Sequence, residues 1–250
     1  MRLDDVPRTS TAPASGDRLA FAVADAHTLR AALDEHADTL TAGAVRDGRP
    51  GPDLLDLVRA GEGPAGGPAD TPGPAPAWSR AHARAARTLR LAVDPTAPGP
   101  RALPELPAHA AFDAATAFHL FDLAGDRAAL HALFAAIRTV LRPGGRLLAV
   151  VSNAGAFPGA DWTRYGLRVR ERLTAGDAPL VRVEVLTDPP LRRDLRAWSH
   201  ADFAEAAVEA GFARVGWRPV RTPPPTEERD EAFWADYRAR PISSLMTATA

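Results

Sequence analysis

The sequence predicts an α/β protein built on parallel strands. The main evidence is a strand–helix–strand unit, with apolar runs at 112–118 and 146–151 on either side of an amphipathic stretch at 127–141. In that stretch apolar residues recur every three or four positions, which is the helical period. A strand, a helix and a second strand in this order make a parallel crossover.

Length and composition support one globular domain, which we predict over residues 19–250. Of the 250 residues, 46% are hydrophobic and 24% are charged, which is ordinary for a globular protein. The net charge of -1 provides no basic surface for nucleic acid. The chain has no cysteine, which excludes thiolate metal sites and cysteine nucleophiles. No run is long and apolar enough to cross a bilayer, and no signal core is visible, so we expect a cytoplasmic protein.

The first third of the chain predicts few regular elements. Residues 1–18 are polar and rich in Pro, Ser and Thr, which indicates a disordered tail. Residues 19–45 carry apolar side chains at helical spacing and predict one or two amphipathic helices, ended by Gly and Pro at 48–52. The run 54–58 is apolar and short, as expected of a buried strand.

The next segment is dominated by residues that break regular structure. Residues 61–77 contain five prolines and five glycines and predict an irregular loop, because proline removes amide donors. Residues 78–91 return to a helical pattern, and 91–94 suggest a short strand.

Beyond the strand–helix–strand unit the pattern is again regular. Residues 181–186 alternate like a strand. Ser199 is placed to cap a helix that ends near Gly211, since a serine hydroxyl can accept a hydrogen bond from a free helical amide. Residues 213–220 are predicted as the last strand.

Several of these segments carry a family resemblance. Residues 112–120, Asp126-Arg127 and the run Leu141-Arg142-Pro143-Gly144-Gly145 resemble strands four and five of class I S-adenosylmethionine-dependent methyltransferases. Further segments are similar to the small-molecule subgroup that includes toxoflavin synthase: Asp161-Trp162, Tyr165-Gly166, Trp198-Ser199, Ala210-Gly211-Phe212, Trp217 and Phe233-Trp234-Ala235-Asp236. The resemblance implies a Rossmann-like, mainly parallel seven-stranded sheet with an antiparallel hairpin at one edge. It also implies an N-terminal helical lid at 19–48 and a substrate-side insertion at 154–198.

The same resemblance implies a degenerate cofactor motif. It assigns four cofactor contacts, Asp56, Gly61, Gly63 and Asp94, and it matches Asp94 to the family's third-strand acid, which contacts the adenine amine. The family has Gly-x-Gly-x-Gly after its first strand, whereas this chain has Val58-Arg59-Ala60-Gly61-Glu62-Gly63, so two glycines are replaced or the turn has gained a residue. The family's second strand ends in an acid, but the alignment puts residues 75–77, Ala-Pro-Ala, at that place. We therefore expect no cofactor, with S-adenosylmethionine as the alternative.

The candidate site follows from the strand order. Ligands of such sheets bind outside the carboxyl ends of the strands. We predict four catalytic residues (His119, Asp122, Asn153 and Tyr165) and three substrate contacts (Phe118, Asp161 and Trp162). For Trp162 and Tyr165 the alternative is packing beneath the insertion. His119 suits proton transfer at neutral pH, with Asp122 fixing its tautomer; the alternative is a packed histidine and a capping aspartate. The lid also carries titratable residues, for which a solvated helix face is the alternative: Asp25, His27, Asp34, Glu35, His36 and Asp38.

Three functions remain open at this point. The first is an enzyme of small-molecule biosynthesis that has abandoned S-adenosylmethionine and catalyses a cyclisation, elimination or hydrolysis. The second is a working small-molecule methyltransferase with an altered cofactor loop. The third is a non-catalytic pseudoenzyme that stabilises a partner subunit, because fold alone does not determine function. A small-molecule substrate is expected, a homodimer or heterodimer is open, and scattered histidines predict no metal site.

Overall fold

The computed structural model describes residues 19–59, 79–93, 111–174 and 176–250. The predicted tail at 1–18, the predicted loop at 61–77 and Asp94 lie outside these residues. The predicted domain, lid and insertion boundaries stay predictions.

A six-stranded sheet forms the centre of the described chain, in the order β2-β1-β3-β4-β9-β8. The strands are β1 (Asp53–Arg59), β2 (Arg87–Val93), β3 (Phe112–Phe118), β4 (Leu141–Ser152), β8 (Arg214–Arg218) and β9 (Ser243–Thr249). Strands β1 to β4 are mutually parallel, whereas β9 runs antiparallel between β4 and β8. This confirms the predicted mainly parallel α/β fold, with six described strands where seven were expected.

Helices cover both faces of this sheet. They are α1 (Ala20–Arg46), α2 (Arg80–Arg84), α3 (Arg127–Val140), α4 (His200–Glu209) and α5 (Glu231–Ala239). Successive strand residues point to opposite faces, so Leu55 packs in the core beneath α3 and α4, whereas Leu54 packs in the core beneath α1 and α2. The strand–helix–strand unit predicted from residue 112 onward is present, with β4 beginning earlier than expected.

A second, antiparallel sheet lies within the predicted insertion. It consists of β5 (Leu167–Leu173), β6 (Leu180–Val185) and β7 (Leu191–Arg196), with β6 in the middle. Its apolar face joins a third core together with the start of α1 and with α5. This core places the insertion beside the first turns of α1.

The helix predicted in this part of the chain is largely wrong. The helix expected over 78–91 is limited to α2, and β2 begins at Arg87. Strand β2 pairs with β1 along all of its seven residues, and this pairing overrides the helical propensity of its alanine and arginine residues. The strands that flank β1 are β2 and β3, so β2 is the described strand at the family's second-strand position. The predicted match of residues 75–77 to that position lies outside the described residues.

The predicted end of the sheet is also wrong. Residues 213–220 do contain a strand, β8, but the last strand of the sheet is β9, which completes an antiparallel hairpin-like edge. Within the described residues, no helix is both long enough and apolar enough to span a membrane.

Candidate active site

The candidate site is built around His119, which directly follows β3. The carboxyl ends of β3 and β4 meet at the same edge of the sheet because the two strands are parallel. The His119 backbone donates to the Val150 carbonyl at 2.9 Å and has a φ of 50°, a left-handed conformation that is uncommon outside glycine. The chain therefore turns sharply at the strand end and holds the imidazole at the edge.

Both ring nitrogens of His119 are bound to carboxylates. Nδ1 lies 2.7 Å from Asp122 and Nε2 lies 2.9 Å from Asp25 on α1. The Asp122 carboxylate also accepts the Ser152 backbone N–H at 2.9 Å, and the Ser243 hydroxyl donates to Asp25 at 2.9 Å. The side chains of Asp25 and Asp122 are 0% exposed, whereas that of His119 is 21% exposed. One imidazole thus joins α1 to the ends of two central strands.

This geometry determines the charge of His119. Burial would lower the pKa of the imidazole, but the hydrogen bonds to Asp122 and Asp25 outweigh burial and raise the pKa to about 10. His119 is therefore an imidazolium at neutral pH and has no free nitrogen to accept a proton. The expectation of a neutral-pH general base does not fit this arrangement, while the predicted pairing of His119 with Asp122 is present.

Two further predicted residues lie at the same edge. Phe118 is 36% exposed, and its ring packs edge-on against the His119 ring at 5.0 Å between centroids. Asn153 follows β4, is half-buried and donates its backbone N–H to the Ile242 carbonyl at 2.6 Å. Both side chains border the strand ends, so their roles as ligand contacts stay predictions.

Tyr165 does not face His119 as the sequence predicted. Its side chain is buried, its hydroxyl donates to Asp236 at 2.6 Å, and its ring packs on Phe233 and Tyr237. Burial, followed by the hydrogen bond to Asp236, raises the pKa of Tyr165 to about 12. This tyrosine therefore holds the 3-10 turn Thr163–Tyr165 against α5.

The predicted substrate contacts Trp162 and Asp161, which lie close to Tyr165 in the sequence, also make contacts within the protein. Trp162 is buried, and its indole N–H donates to the Arg240 carbonyl at 2.8 Å. The predicted substrate contact by Trp162 is opposed by this burial, because no face of the ring is left for a ligand. Asp161 is exposed and its carboxylate accepts the Thr163 backbone N–H at 2.9 Å, which caps the turn.

Tyr237 on α5 was not singled out from the sequence, yet it lies in the interior next to the His119 cluster. Its hydroxyl has no hydrogen-bond partner among the described residues, and the Oδ1 atom of Asp25 has none either. Burial, then the negative charge of Asp25, raises the pKa of Tyr237 well above its ordinary value. Tyr237 and Ser243 are far from α1 in sequence, and no local pattern marks them as neighbours of Asp25.

Asp56, a predicted cofactor contact, occupies the middle of β1 and is buried. Its carboxylate lies 3.0 Å from His82 Nε2 and accepts the Thr116 hydroxyl at 2.7 Å. His82 Nδ1 in turn lies 2.7 Å from the Ser79 hydroxyl. Burial opposes ionisation of Asp56, but the bonds from His82 and Thr116 outweigh it and lower the pKa of the carboxyl. This buried chain anchors α2 to the sheet and leaves Asp56 no access to a cofactor.

The remaining cofactor predictions concern the ends of β1 and β2. Strand β1 continues through Val58 and Arg59, so these residues belong to the strand and not to the following turn. Gly61, Gly63 and Asp94 lie outside the described residues. In the sequence, Asp94 directly follows Val93, the last residue of β2.

Three of the six titratable residues predicted on α1, namely Asp34, Glu35 and Asp38, form surface ion pairs. Glu35 pairs with Arg218 and Arg221, and Asp38 pairs with Arg84. The backbone N–H of Arg80 donates to Asp34 at 2.5 Å. These contacts agree with a solvated helix face, and Asp25 differs from them by its complete burial. In the described part of the chain, no group of three or more His, Asp or Glu side chains is arranged to hold a metal ion.

Comparison with known proteins identifies the fold. DesVI from Streptomyces venezuelae superposes with a TM-score of 0.50 at 14% identity, over 90% of this chain and 92% of that chain. The sugar N-methyltransferase KedS8 from Streptoalloteichus sp ATCC 53650 gives 0.46 at 16% identity, over 100% and 99%. The Burkholderia thailandensis 1,6-didemethyltoxoflavin-N1-methyltransferase gives 0.43 at 20% identity, over 88% and 78%. The sequence matches no protein-family model and no curated protein.

The likeness to DesVI and the sheet order together define the class of fold. Four parallel strands, followed by an antiparallel strand inserted before the edge strand, form the Rossmann-like sheet of the class I methyltransferases. The predicted fold is thereby confirmed.

Proposed function

We propose that this protein is an S-adenosylmethionine-dependent methyltransferase that acts on a small molecule. The observation that carries the proposal is the position of β2 beside β1, because Asp94 then follows the carboxyl end of the second strand in the sheet. The family resemblance implies an acid at this place that accepts hydrogen bonds from the ribose hydroxyls. The expectation of cofactor loss depended on residues 75–77 occupying that strand.

The extent of β1 also supports cofactor binding. Because Val58 and Arg59 are strand residues, they do not occupy the glycine-rich turn, and Gly61 is the first glycine after the strand in the sequence. This agrees with a turn that has gained a residue, which was one of the two alternatives for the altered motif. Glycine permits a close approach of backbone and ligand because it lacks a Cβ atom.

The described side chains near the strand ends fit this cofactor. The chain leaves β1 toward β2 on one side and leaves β3 toward β4 on the other, so a crevice is expected where β1 and β3 diverge. Phe118 exposes an aromatic ring at the end of β3. The cluster of Asp25, Asp122 and protonated His119 carries a net negative charge, which favours a cationic sulfonium nearby.

The division of roles follows from these features. S-adenosylmethionine, when bound, supplies an electrophilic methyl group. Asp94 would hold the ribose, and Gly61 and Gly63 would allow the close backbone approach. His119 keeps its proton at neutral pH, so in this proposal it orients α1 and does not deprotonate the acceptor.

Calorimetric titration with S-adenosylmethionine tests the proposal directly. Wild-type protein is expected to bind, and Asp94→Asn should weaken binding by about 10-fold to 100-fold, because charge-assisted hydrogen bonds contribute roughly 1.5 to 3 kcal/mol. Asp194→Asn is the matched control, since Asp194 is an exposed carboxylate of the second sheet. Absence of binding by the wild-type protein at millimolar ligand would contradict the proposal and favour the cofactor-independent enzyme or the pseudoenzyme.

A further inference from the structure

Helix α1 runs along the strand direction, from the carboxyl ends of the parallel strands to their amino ends. Near its start, Asp25 contacts His119 at the carboxyl edge of the parallel strands. Just beyond its end, Arg49 donates to Asp113 at 2.6 and 2.8 Å, at the amino end of β3. The first turns of α1 therefore cover the strand ends where a ligand is expected.

The two halves of α1 are held by different contacts. The second half has several surface ion pairs, made by Glu35 and Asp38. The Arg49–Asp113 pair holds the chain just beyond the end of the helix. The first half packs against the third core through its first turns and against the core beneath α1 through Leu29 and Ala32, and it has two polar links. One is the Thr28 hydroxyl, which exchanges hydrogen bonds with the Arg221 backbone, and the other is the buried carboxylate of Asp25.

The Asp25 link depends on a positive charge. A fully buried carboxylate is costly unless a cation or hydrogen-bond donors compensate it. Ser243 provides one neutral donor, and His119 provides the cation. His119 is itself fixed to the sheet, because Asp122 binds its Nδ1 atom and accepts the Ser152 backbone N–H. Its left-handed backbone conformation is sparsely populated and persists where the surroundings impose it.

We propose that His119 is a positioning residue whose imidazolium holds the first turns of α1 as a lid over the carboxyl edge of the sheet. Loss of that charge frees the lid while the second half of α1 stays in place. The proposal does not depend on which cofactor the protein binds.

The proposal has a defined pH dependence. The charged and titratable groups that face the contact are Asp25 on α1, Asp122 on the 3-10 turn after β3, and Tyr237 on α5, which acts on Asp25. The pKa of His119 is raised from 6.5 to about 10. The stabilising contribution is therefore fully present below the ordinary pKa and is lost as the pH rises through about 10. The lid is expected to be closed at neutral pH and to open in alkali.

Hydrogen–deuterium exchange of the full chain, corrected for intrinsic rates, tests this idea without any ligand. His119→Gln should reduce the protection of residues 20–29 by about 10-fold or more, since a charge-assisted bond is lost, and should spare residues 34–46. His119→Lys should restore part of the protection because it keeps a cation. The matched control is His131→Gln, as His131 pairs with a single exposed glutamate, Glu209.

The pH series provides a readout that packing alone would not change. In the wild type, protection of residues 20–29 should fall near pH 10 relative to residues 34–46, and this step should be absent in His119→Gln. Unchanged protection in His119→Gln, or an equal loss along α1 and β3, overturns the proposal. If His119→Gln does not fold, Asp25→Asn decides, because it leaves the pair of His119 and Asp122 intact: a local loss supports the lid, and no loss overturns it. Failure to bind S-adenosylmethionine would leave these results unaffected.

Discussion

Each buried aspartate of the described chain has a histidine within hydrogen-bonding distance. Asp25 and Asp122 share His119, and Asp56 has His82. The two histidines differ in position: His119 lies at the sheet edge with part of its surface exposed, whereas His82 is enclosed between α2 and β1. At the scale of residues, one side-chain type therefore performs two tasks: His119 links a helix to the strand ends, and His82 hydrogen-bonds a carboxylate inside the sheet.

We predict that His82→Ala destabilises the protein by about 1 to 3 kcal/mol, because it leaves the buried carboxylate of Asp56 without one of its hydrogen-bond partners. The substitution removes the Nε2 contact and leaves the Asp56 carboxylate with the Thr116 hydroxyl. Urea denaturation followed by circular dichroism gives the free energy of unfolding. His131→Ala serves as the control, and its exposed ion pair is expected to contribute at most about 1 kcal/mol. Similar values for the two variants would show that Asp56 does not depend on His82.

The sequence identified part of the site at this scale. His119 and Asp122 were predictable because they follow a recognisable strand and lie three residues apart. Asp25 is 94 positions away from His119, so only the folded chain brings the two together. His119 is not a free catalytic histidine, because the Asp25 carboxylate occupies the ring nitrogen that does not bind Asp122.

Local chemistry decided the bounds of some elements and tertiary pairing decided others. Ser199 caps α4 as predicted, and the structure adds the reciprocal contact from Asp202, a full capping box. Gly211 has a φ of 89° and ends the helix in the conformation that glycine favours. In β2 the local preference for helix lost to seven residues of parallel pairing with β1. Local sequence patterns thus predict the bounds of an element where the residues that stabilise the bound are close in sequence.

Replacing Ser199 by alanine should cost about 1 kcal/mol, because the amide of Asp202 loses its capping oxygen. Thermal unfolding measures the change, which should appear as a lower melting temperature without a change in cooperativity. Ser199→Asn keeps a capping oxygen and should stay within a few tenths of a kcal/mol of wild type. An equal loss in both variants would indicate that the hydroxyl has another role than capping.

Three cores hold the described part of the chain together. Two lie on the faces of the central sheet, and the third joins the second sheet, the start of α1 and α5 through Trp162, Tyr165, Trp234 and Tyr237. For Trp162 and Tyr165 the sequence left both a role at the site and packing open, and their burial assigns both side chains to the core. The grouping of the four aromatics was not predictable, because the two segments that supply them lie about seventy residues apart in the chain, as the 71 positions between Tyr165 and Asp236 show.

Trp162→Ala should cost about 3 to 5 kcal/mol, the usual effect of truncating a buried tryptophan. Because Trp162 belongs to the third core, hydrogen exchange should accelerate in β5–β7, α5 and the first turns of α1, while β1–β3 stay protected. Phe134→Ala is the matched control in the core beneath α3 and should affect α3 and α4 instead. Equal acceleration in β1–β3 and in the second sheet would mean that the cores unfold as one unit.

The position of β9 has a consequence for how the chain is made. This strand is synthesised after all the others described, yet it lies inside the sheet, bonded to β4 on one side and to β8 on the other. Until it emerges from the ribosome, β4 presents an open edge whose N–H and C=O groups can pair with a strand of another nascent chain. The closing contacts join residues about a hundred positions apart, a separation typical of slow folding. The yield of folded protein should therefore depend on translation speed and on chaperone supply. The stability of the folded protein should have a smaller influence on this yield.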